Sequence, residues 1–373
     1  MLKIERISVQ QFVEIASEWE SMNENNKNGN LFLSWHWNYT WWKTFNKNRS
    51  IYILTFRNNQ ELVGILPMYR QKKRHWTGMR FTVLSFMGTE NTSSEHLSFL
   101  YRSGFERAVV REFINFLERN KDQWDIVQIR DFADDTVIVG MLQAESKNRG
   151  FTLLFDRTEI CPYLTLPQSN DIFYANLSSN MRYNIRRRKR QLKKLGFEMH
   201  VKDKFDRNNS AFTEMVRLHN ARWQMDSLPG NFRSQAIQTF HKELLVSKIE
   251  QCKPLLFFLS NNEMNIAAIY AFQCRDKLLY YQGGYDPAYS KYSPGLTLTA
   301  LVIEYAISKG LKEYDFLRGD EEYKWKWTND YRMTISFSIF QQKLSSGIRV
   351  VLDNLRMEIV RSLKGKRNSR KLK

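Results

Sequence analysis

The chain has 373 residues, 42% apolar and 14% aromatic, with a formal net charge of +18. That is more than one ordinary core holds and suits two domains, and the composition excludes a long disordered protein. No apolar run approaches the ~18 residues of a membrane span, and Met1-Leu2-Lys3-Ile4-Glu5-Arg6 has no signal-peptide core, so a cytoplasmic protein is expected. Cys161, Cys252 and Cys274 are odd in number and scattered, which argues against a zinc framework and for a reducing compartment. The basicity is local: residues 182–194 hold eight Lys/Arg and no acid, residues 346–373 carry +7, and the rest is nearly balanced.

In chain order, residues 9–22 read as a helix with Phe12, Ile15, Ala16 and Trp19 on one face, and Ser34 caps a Trp-rich helix over 35–45. Residues 51–57 and 62–69 read as strands joined at Asn58-Asn59-Gln60. Strands follow at 81–88 and 97–101, a helix at 105–119, a strand at 125–130, a helix at 137–149 stopped by Gly150, and a strand at 163–166. Residues 1–170 thus form one expected α/β domain. The second, 171–345, opens with a basic helix capped by Ser178 or Ser179 and ended by Gly196, then a strand at 197–201. Helices are expected at 211–225 and 234–247, separated by Ser227-Leu228-Pro229-Gly230, then a hairpin of 255–260 with 265–274. A strand at 278–284, a helix at 296–308 and strands at 314–317 and 334–340 complete a mixed α/β sheet with a binding crevice between strands. Asn58–Tyr69 faintly echoes Ser260–Phe272, as two similar modules in tandem would. Residues 347–363 read as an amphipathic helix with a basic end, which can lie on an anionic membrane or simply dock on its domain.

Four groups of residues could carry chemistry. The start of the 296–308 helix, behind Ser293-Pro294-Gly295, offers amides without intrahelical partners and the positive end of the helix dipole, a natural diphosphate site. Gln282, Gly283 and Tyr285 end the strand before it; with Ser293, Gly295 and Leu296 they are the candidate donor-binding residues. Asp315, Asp320, Tyr323 and Lys324 are the candidate catalytic residues, since amine acylation needs a proton acceptor and a group to steady an oxyanion. Glu321 and Glu322 read instead as acids of a solvated turn. His219, Arg222 and Trp223 lie within about one helical turn and, with Arg318, suit an anionic or hydroxylated acceptor, although a packed histidine is the blander reading. Arg182, Arg186, Lys189 and Lys193 form one stripe of the basic helix, opposite Met181, Ile185, Leu192 and Leu195; eight like charges in a row point to phosphates of a substrate, to tRNA or to anionic lipid. No metal site is expected, for there is no Cys/His set, and neither a G-x-S-x-G nucleophile nor a phosphate loop of the G-x-x-x-x-G-K-[ST] type is present.

"LSSNMRYNIRRRKRQLKKLGF", "LHNARW", "YQGGYDPAYSKYSPGLTL" and "KGLKEYDFLRGDEEYKWKW", with "SWHWNYTWWKTF" and "ELVGILPMY" upstream, resemble GNAT-superfamily acetyltransferases of the cellulose-biosynthesis and exopolysaccharide-cluster type, relatives of the Fem-type aminoacyltransferases. The resemblance implies two tandem GNAT-like domains and acyl transfer from a CoA thioester, such as acetyl-CoA, to an amine or hydroxyl of a small, sugar-linked or lipid-linked envelope precursor. It implies a cytoplasmic protein, peripheral at the inner membrane face if residues 346–373 bind lipid, and no DNA partner. It places Ser293 to Leu296 near the donor diphosphate and matches Lys324 to the lysine of a Tyr-Lys pair near the Fem-type active site. Ser-Pro-Gly stands where the common GNAT phosphate loop would be. A Fem-like transferase using aminoacyl-tRNA and a non-catalytic GNAT-fold binding protein are the alternatives.

Overall fold

The computed structural model describes residues 2–26, 29–74, 76, 78–90, 92–206, 210–225, 230–249 and 251–341. The expected amphipathic helix and basic tail at 346–373 lie outside the described residues, as do Ser227, Leu228 and Pro229. The chain divides into two units. One takes the described residues up to Glu159 and those from Met333; the other is Ile160–Arg332. The division therefore differs from the expected 1–170 and 171–345, because the chain passes between units inside two strands.

The first unit contains β1 (Lys3–Arg6), α1 (Val9–Glu14), α2 (Ala16–Asn25), α3 (Trp35–Phe45), β2 (Ser50–Ile51), β3 (Leu54–Asn58), β4 (Glu61–Leu66), β5 (Met68–Arg74), β6 (Arg80–Phe86), β7 (Leu100–Tyr101), α4 (Glu106–Arg119), β8 (Ile126–Ala133) and α5 (Thr136–Asn148). The strand expected over 62–69 is broken at Pro67, which has no N–H for a ladder; β4 joins a sheet of order β1-β3-β4-β7, while β5 pairs with β6 and β2 in another. The helix expected over 9–22 breaks at Ile15, and Ser34 caps α3 by accepting the Trp37 N–H at 3.2 Å. Its core is aromatic: Phe12, Trp19, Trp37, Trp41 and Trp124 are buried.

A long strand, β9 (Phe151–Thr165), leads into the second unit, where follow α6 (Asn170–Asn176), α7 (Ser179–Lys194), β10 (Glu198–Lys202), α8 (Ser210–Gln224), α9 (Gln235–Val246), β11 (Cys252–Ser260), β12 (Asn265–Cys274), β13 (Lys277–Tyr285), α10 (Pro294–Ser308) and β14 (Glu313–Asp315). The last strand, β15 (Tyr331–Gln341), returns to the first unit and pairs there with β8. The stretch 334–340 is a strand, as expected, and in the first unit it lies between β8 and β9; the alternation of polar and apolar residues shows that it is a strand but not which neighbours take it. The second sheet runs β10-β11-β12-β13-β14, then the end of β9. All pairs are antiparallel except β13 with β14, which α10 connects as a crossover. Side chains alternate across it: Phe257 meets Tyr305 of α10, while Tyr270 meets Phe212 of α8 and His241 of α9.

Cys252 and Cys274 stand directly opposite in the β11–β12 ladder and form a disulfide, while Cys161, which is buried, takes no part in it. This overturns the expectation of three separate thiols. The two are 22 residues apart in sequence, and only the hairpin register brings them together.

Candidate active site

Parallel strands β13 and β14 stay together for three pairs, Lys277 with Glu313, Leu278 with Tyr314 and Leu279 with Asp315. Beyond Leu279, β13 runs on to Tyr285 against β12. The chain after Asp315 instead keeps to β9, with the Phe316 N–H donating to the Pro162 carbonyl at 3.0 Å and the Gly319 N–H to the Ile160 carbonyl at 2.9 Å. Leu317 takes the left-handed conformation (φ 55°), held by its N–H donating to Asp315 at 2.8 Å. A crevice therefore opens between residues 280–285 and the loop after Asp315, at the carboxyl ends of two parallel strands, where open α/β sheets bind ligands.

The start of α10 lies beyond the end of β13. Ser293 is left-handed (φ 50°, ψ 55°) and makes no side-chain cap. Pro294 has no N–H to satisfy, and the Thr297 N–H donates to the Ser293 carbonyl at 3.1 Å. The amides of Gly295 and Leu296 are left without a capping side chain. Gly295 admits close approach: a Cβ there would lie 3.3 Å from Cδ1 of Tyr285. The Arg222 guanidinium is 5.7 Å from the centroid of the same Tyr285 ring. Arg222, Tyr285, Gly295 and the uncapped amides thus gather at one end of the crevice.

Its other wall holds Tyr280, Tyr323, Glu321 and Lys324. The Tyr280 and Tyr323 phenols act on one another, and burial pushes Tyr280 up to about 12, so this phenol keeps its proton at neutral pH. Burial raises Tyr323 too, although 39% of the residue stays open to solvent. Lys324 is 2% exposed. Its ammonium donates to the Leu317 carbonyl at 3.1 Å, to the Arg318 carbonyl at 2.8 Å and to Glu321 at 3.0 Å, which uses all three of its protons. Lys324 thus clasps the loop that walls the crevice. Glu321 is its partner rather than an acid of a solvated turn. Asp315 is buried, with its carboxyl raised by desolvation and opposed by Arg332 at 3.8 Å, and its visible task is the Leu317 turn. Asp320 accepts from the Trp325 indole at 2.8 Å at the surface.

His219 is wholly buried. Its Nδ1–H donates to the Gly283 carbonyl at 3.1 Å and its Nε2 accepts the Asn231 N–H at 3.1 Å, which fixes the tautomer. Desolvation lowers its pKa to about 4. The neutral ring pins α8 to β13. The fit is close: a Cβ on Gly284 would lie 2.3 Å from the His219 backbone nitrogen. Both ring nitrogens are thus spoken for, and of the 219–223 group it is Arg222 that faces Tyr285, while Trp223 lies 5.9 Å from the His219 ring. Gln282 pairs across the ladder with Tyr270, and a Cβ on Gly283 would meet the Tyr280 phenol.

Arg182 and Arg186 lie elsewhere in the unit. With Tyr174, Ser179, Tyr183, Lys189 and Arg190 they line a groove of about 670 Å³ between α6 and α7. Met181, Ile185 and Leu192 are buried as the stripe requires, but Leu195 is 44% exposed. Arg182 donates to the Leu177 carbonyl at 2.6 Å and so caps α6, and Glu304 of α10 accepts from Lys189 at 2.7 Å and from the Tyr174 hydroxyl. Glu304 is ten residues past Pro294, or about 15 Å along the helix, so groove and crevice are separate. Sequence reasoning missed Tyr280, Glu321, Tyr174 and Glu304 as site residues. The i, i+3 spacing of Glu321 and Lys324 was the one visible signal.

Residues 179–325 match the family described as "Acetyltransferase (GNAT) domain". The second unit is a GNAT acetyltransferase domain. The match lies within the second unit and supports an acyltransferase of the GNAT type. No curated protein matches it in sequence. Among solved structures it is similar to FemX, at 12% identity with a TM-score of 0.60, covering 91% of this chain and 98% of that one. It is also similar to L-PGS from Bacillus licheniformis, at 11% identity and a TM-score of 0.52, covering 94% and 98%. A third is the C-terminal domain of a putative lysylphosphatidylglycerol synthetase from Agrobacterium fabrum, at 7% identity and a TM-score of 0.51, covering 93% and 96%. These likenesses span both units, so the tandem mixed α/β fold is shared. Among the described residues, no helix is long and apolar enough to cross a membrane.

Proposed function

We propose that this GNAT-type enzyme moves an acyl group from a CoA thioester to an amine or hydroxyl of a phosphate-linked sugar, lipid or peptide precursor of the cell envelope. The observation that carries the reading is the parting of β13 and β14 after Leu279, with the uncapped start of α10 at the open end. A thioester can lie along the free edge of β13 while an anionic group of its carrier rests on the Gly295 and Leu296 amides. The protonated Tyr280–Tyr323 pair is placed to donate to charge that develops on the thioester oxygen or on the departing sulfur. Glu321 is the nearby carboxylate that can receive the amine proton. In this reading Arg222 and Arg318 meet the acceptor, and Lys324 acts by holding the loop.

Acetyl-CoA and longer acyl-CoAs should raise the melting temperature by mass action, by about 2.7 kcal/mol of stability at a ligand concentration 100 times Kd. Gly295→Val, which crowds the Tyr285 ring and the helix start, should abolish that shift. If no acyl-CoA shifts the transition, the CoA reading is wrong. One observation favours a second donor. Pro294 leaves two free amides where a diphosphate cradle needs several, and a basic groove lies about 15 Å along α10. An aminoacyl-tRNA held at both places fits that spacing. It requires tRNA binding that weakens steeply with salt, and loss of that binding in Arg186→Glu.

A further inference from the structure

We propose that the β5–β6 hairpin of the first unit docks the protein on an anionic lipid surface, independently of which acyl donor is used. β5 is bonded to β2 only as far as Arg70, and β6 meets the chain of β8 only from Thr82 onward. Between those points the two strands pair with each other and with no third strand among the described residues. At about 3.3 Å per residue, the stretch from Lys72 to Arg74, opposite Arg80 to Thr82, carries the ribbon roughly 7 Å beyond both neighbouring strands.

The side chains of this ribbon are sorted. Arg74 is registered opposite Arg80, Lys72 opposite Thr82 and Arg70 opposite Leu84. By the alternation of a strand, Arg70, Lys72, Arg74 and Arg80 share one face. None of the four forms an ion pair among the described residues, whereas Lys73 on the other face is bonded to Glu90 at 2.8 Å. Two arginines directly opposite weaken a ladder, so intramolecular stability does not account for the arrangement. At the tip stands Trp76, 81% exposed, while the next most exposed large apolar side chain is Tyr183 at 57%. A Trp leading and four cations two to six residues behind match the layering of a bilayer face: the indole seats at headgroup level and the cations lie among lipid phosphates. A single-stranded nucleic acid would use the same cations and could stack a base on the indole, but the indole's place ahead of the cations rather than among them favours the layered bilayer face.

The test is co-sedimentation of the full chain with phosphatidylcholine vesicles, with and without 30% phosphatidylglycerol. Wild type should bind only the anionic vesicles. The triple substitution Lys72→Gln, Arg74→Gln, Arg80→Gln should weaken its partition roughly 100-fold, and Trp76→Ala should weaken it with all charges kept. Because the ribbon stands beyond the sheet, both variants should keep the wild-type melting temperature and acyl-CoA response, which separates this result from failure of the enzymatic reading. Trp76→Cys labelled with an environment-sensitive fluorophore should shift to the blue on anionic vesicles. Unchanged partition in the folded triple variant, or no wild-type binding, overturns the proposal. So does a triple variant that loses affinity for a 20-nucleotide RNA but not for vesicles.

Discussion

Replacing Lys324 with methionine keeps most of the volume and removes the charge. The ammonium is 2% exposed and donates to two carbonyls and a carboxylate. Hydrogen bonds to charged groups are each worth about 1.5–3 kcal/mol, and removing one partner of a buried pair costs about 3–5 kcal/mol. Glu321 can turn to water, since its side chain is 52% exposed, but the Leu317 and Arg318 carbonyls lose their donor. The net loss should be about 3–5 kcal/mol. For a unit of this size each kcal/mol is about 2–4 °C, so the second unit should melt roughly 6–20 °C lower. Differential scanning calorimetry reads this as a lowered melting temperature. Glu321→Gln should cost under ~1 kcal/mol, since its carboxylate is half in water. Lys324→Met that melts like wild type yet has lost activity would refute the clasp and make the ammonium a substrate contact.

Gly284→Ala puts a methyl 2.3 Å from the backbone of α8 and should destabilise by about 1–3 kcal/mol or more, whereas Gly140→Ala in α5 meets open space and should stabilise by about 0.5–1 kcal/mol; urea titration reads both. His219 and His241 are held neutral by burial, at about 4 and about 3 against 6.5 when unfolded. The unfolded chain therefore binds more protons below pH 6.5, and stability should fall with falling pH until the folded-state values are reached, by up to about 1.4 kcal/mol per unit for each ring; His219→Gln should flatten that slope. Reducing the Cys252–Cys274 bridge, which closes 22 residues, should cost about 3 kcal/mol by the chain-entropy rule, seen as a lower melting temperature in dithiothreitol.

Much was legible locally. Ser34 and Ser178 cap their helices, Gly150 and Gly196 end theirs in the left-handed region, and two strand-length apolar runs around Asn261-Asn262 give the hairpin, because caps, stops and short apolar runs act within a few residues. The Ser-Pro-Gly helix start and the strand before it were visible for the same reason, and so was the basic stripe of α7. What the chain alone left open was partnership. Residues 334–340 were plainly a strand, yet only the fold sets them between β8 and β9, and Pro67 divides two strands between two sheets. Cys252 meets Cys274 only once register is set. His219 became a pin because the Gly283 carbonyl and the Asn231 N–H take its two ring nitrogens, and Lys324 a clasp because the Leu317 and Arg318 carbonyls fold back onto its ammonium. Local pattern fixes which residues are helix, strand or turn through short-range sterics and burial; what a polar side chain touches depends on long-range packing, and that is decided only when the sheet closes over it.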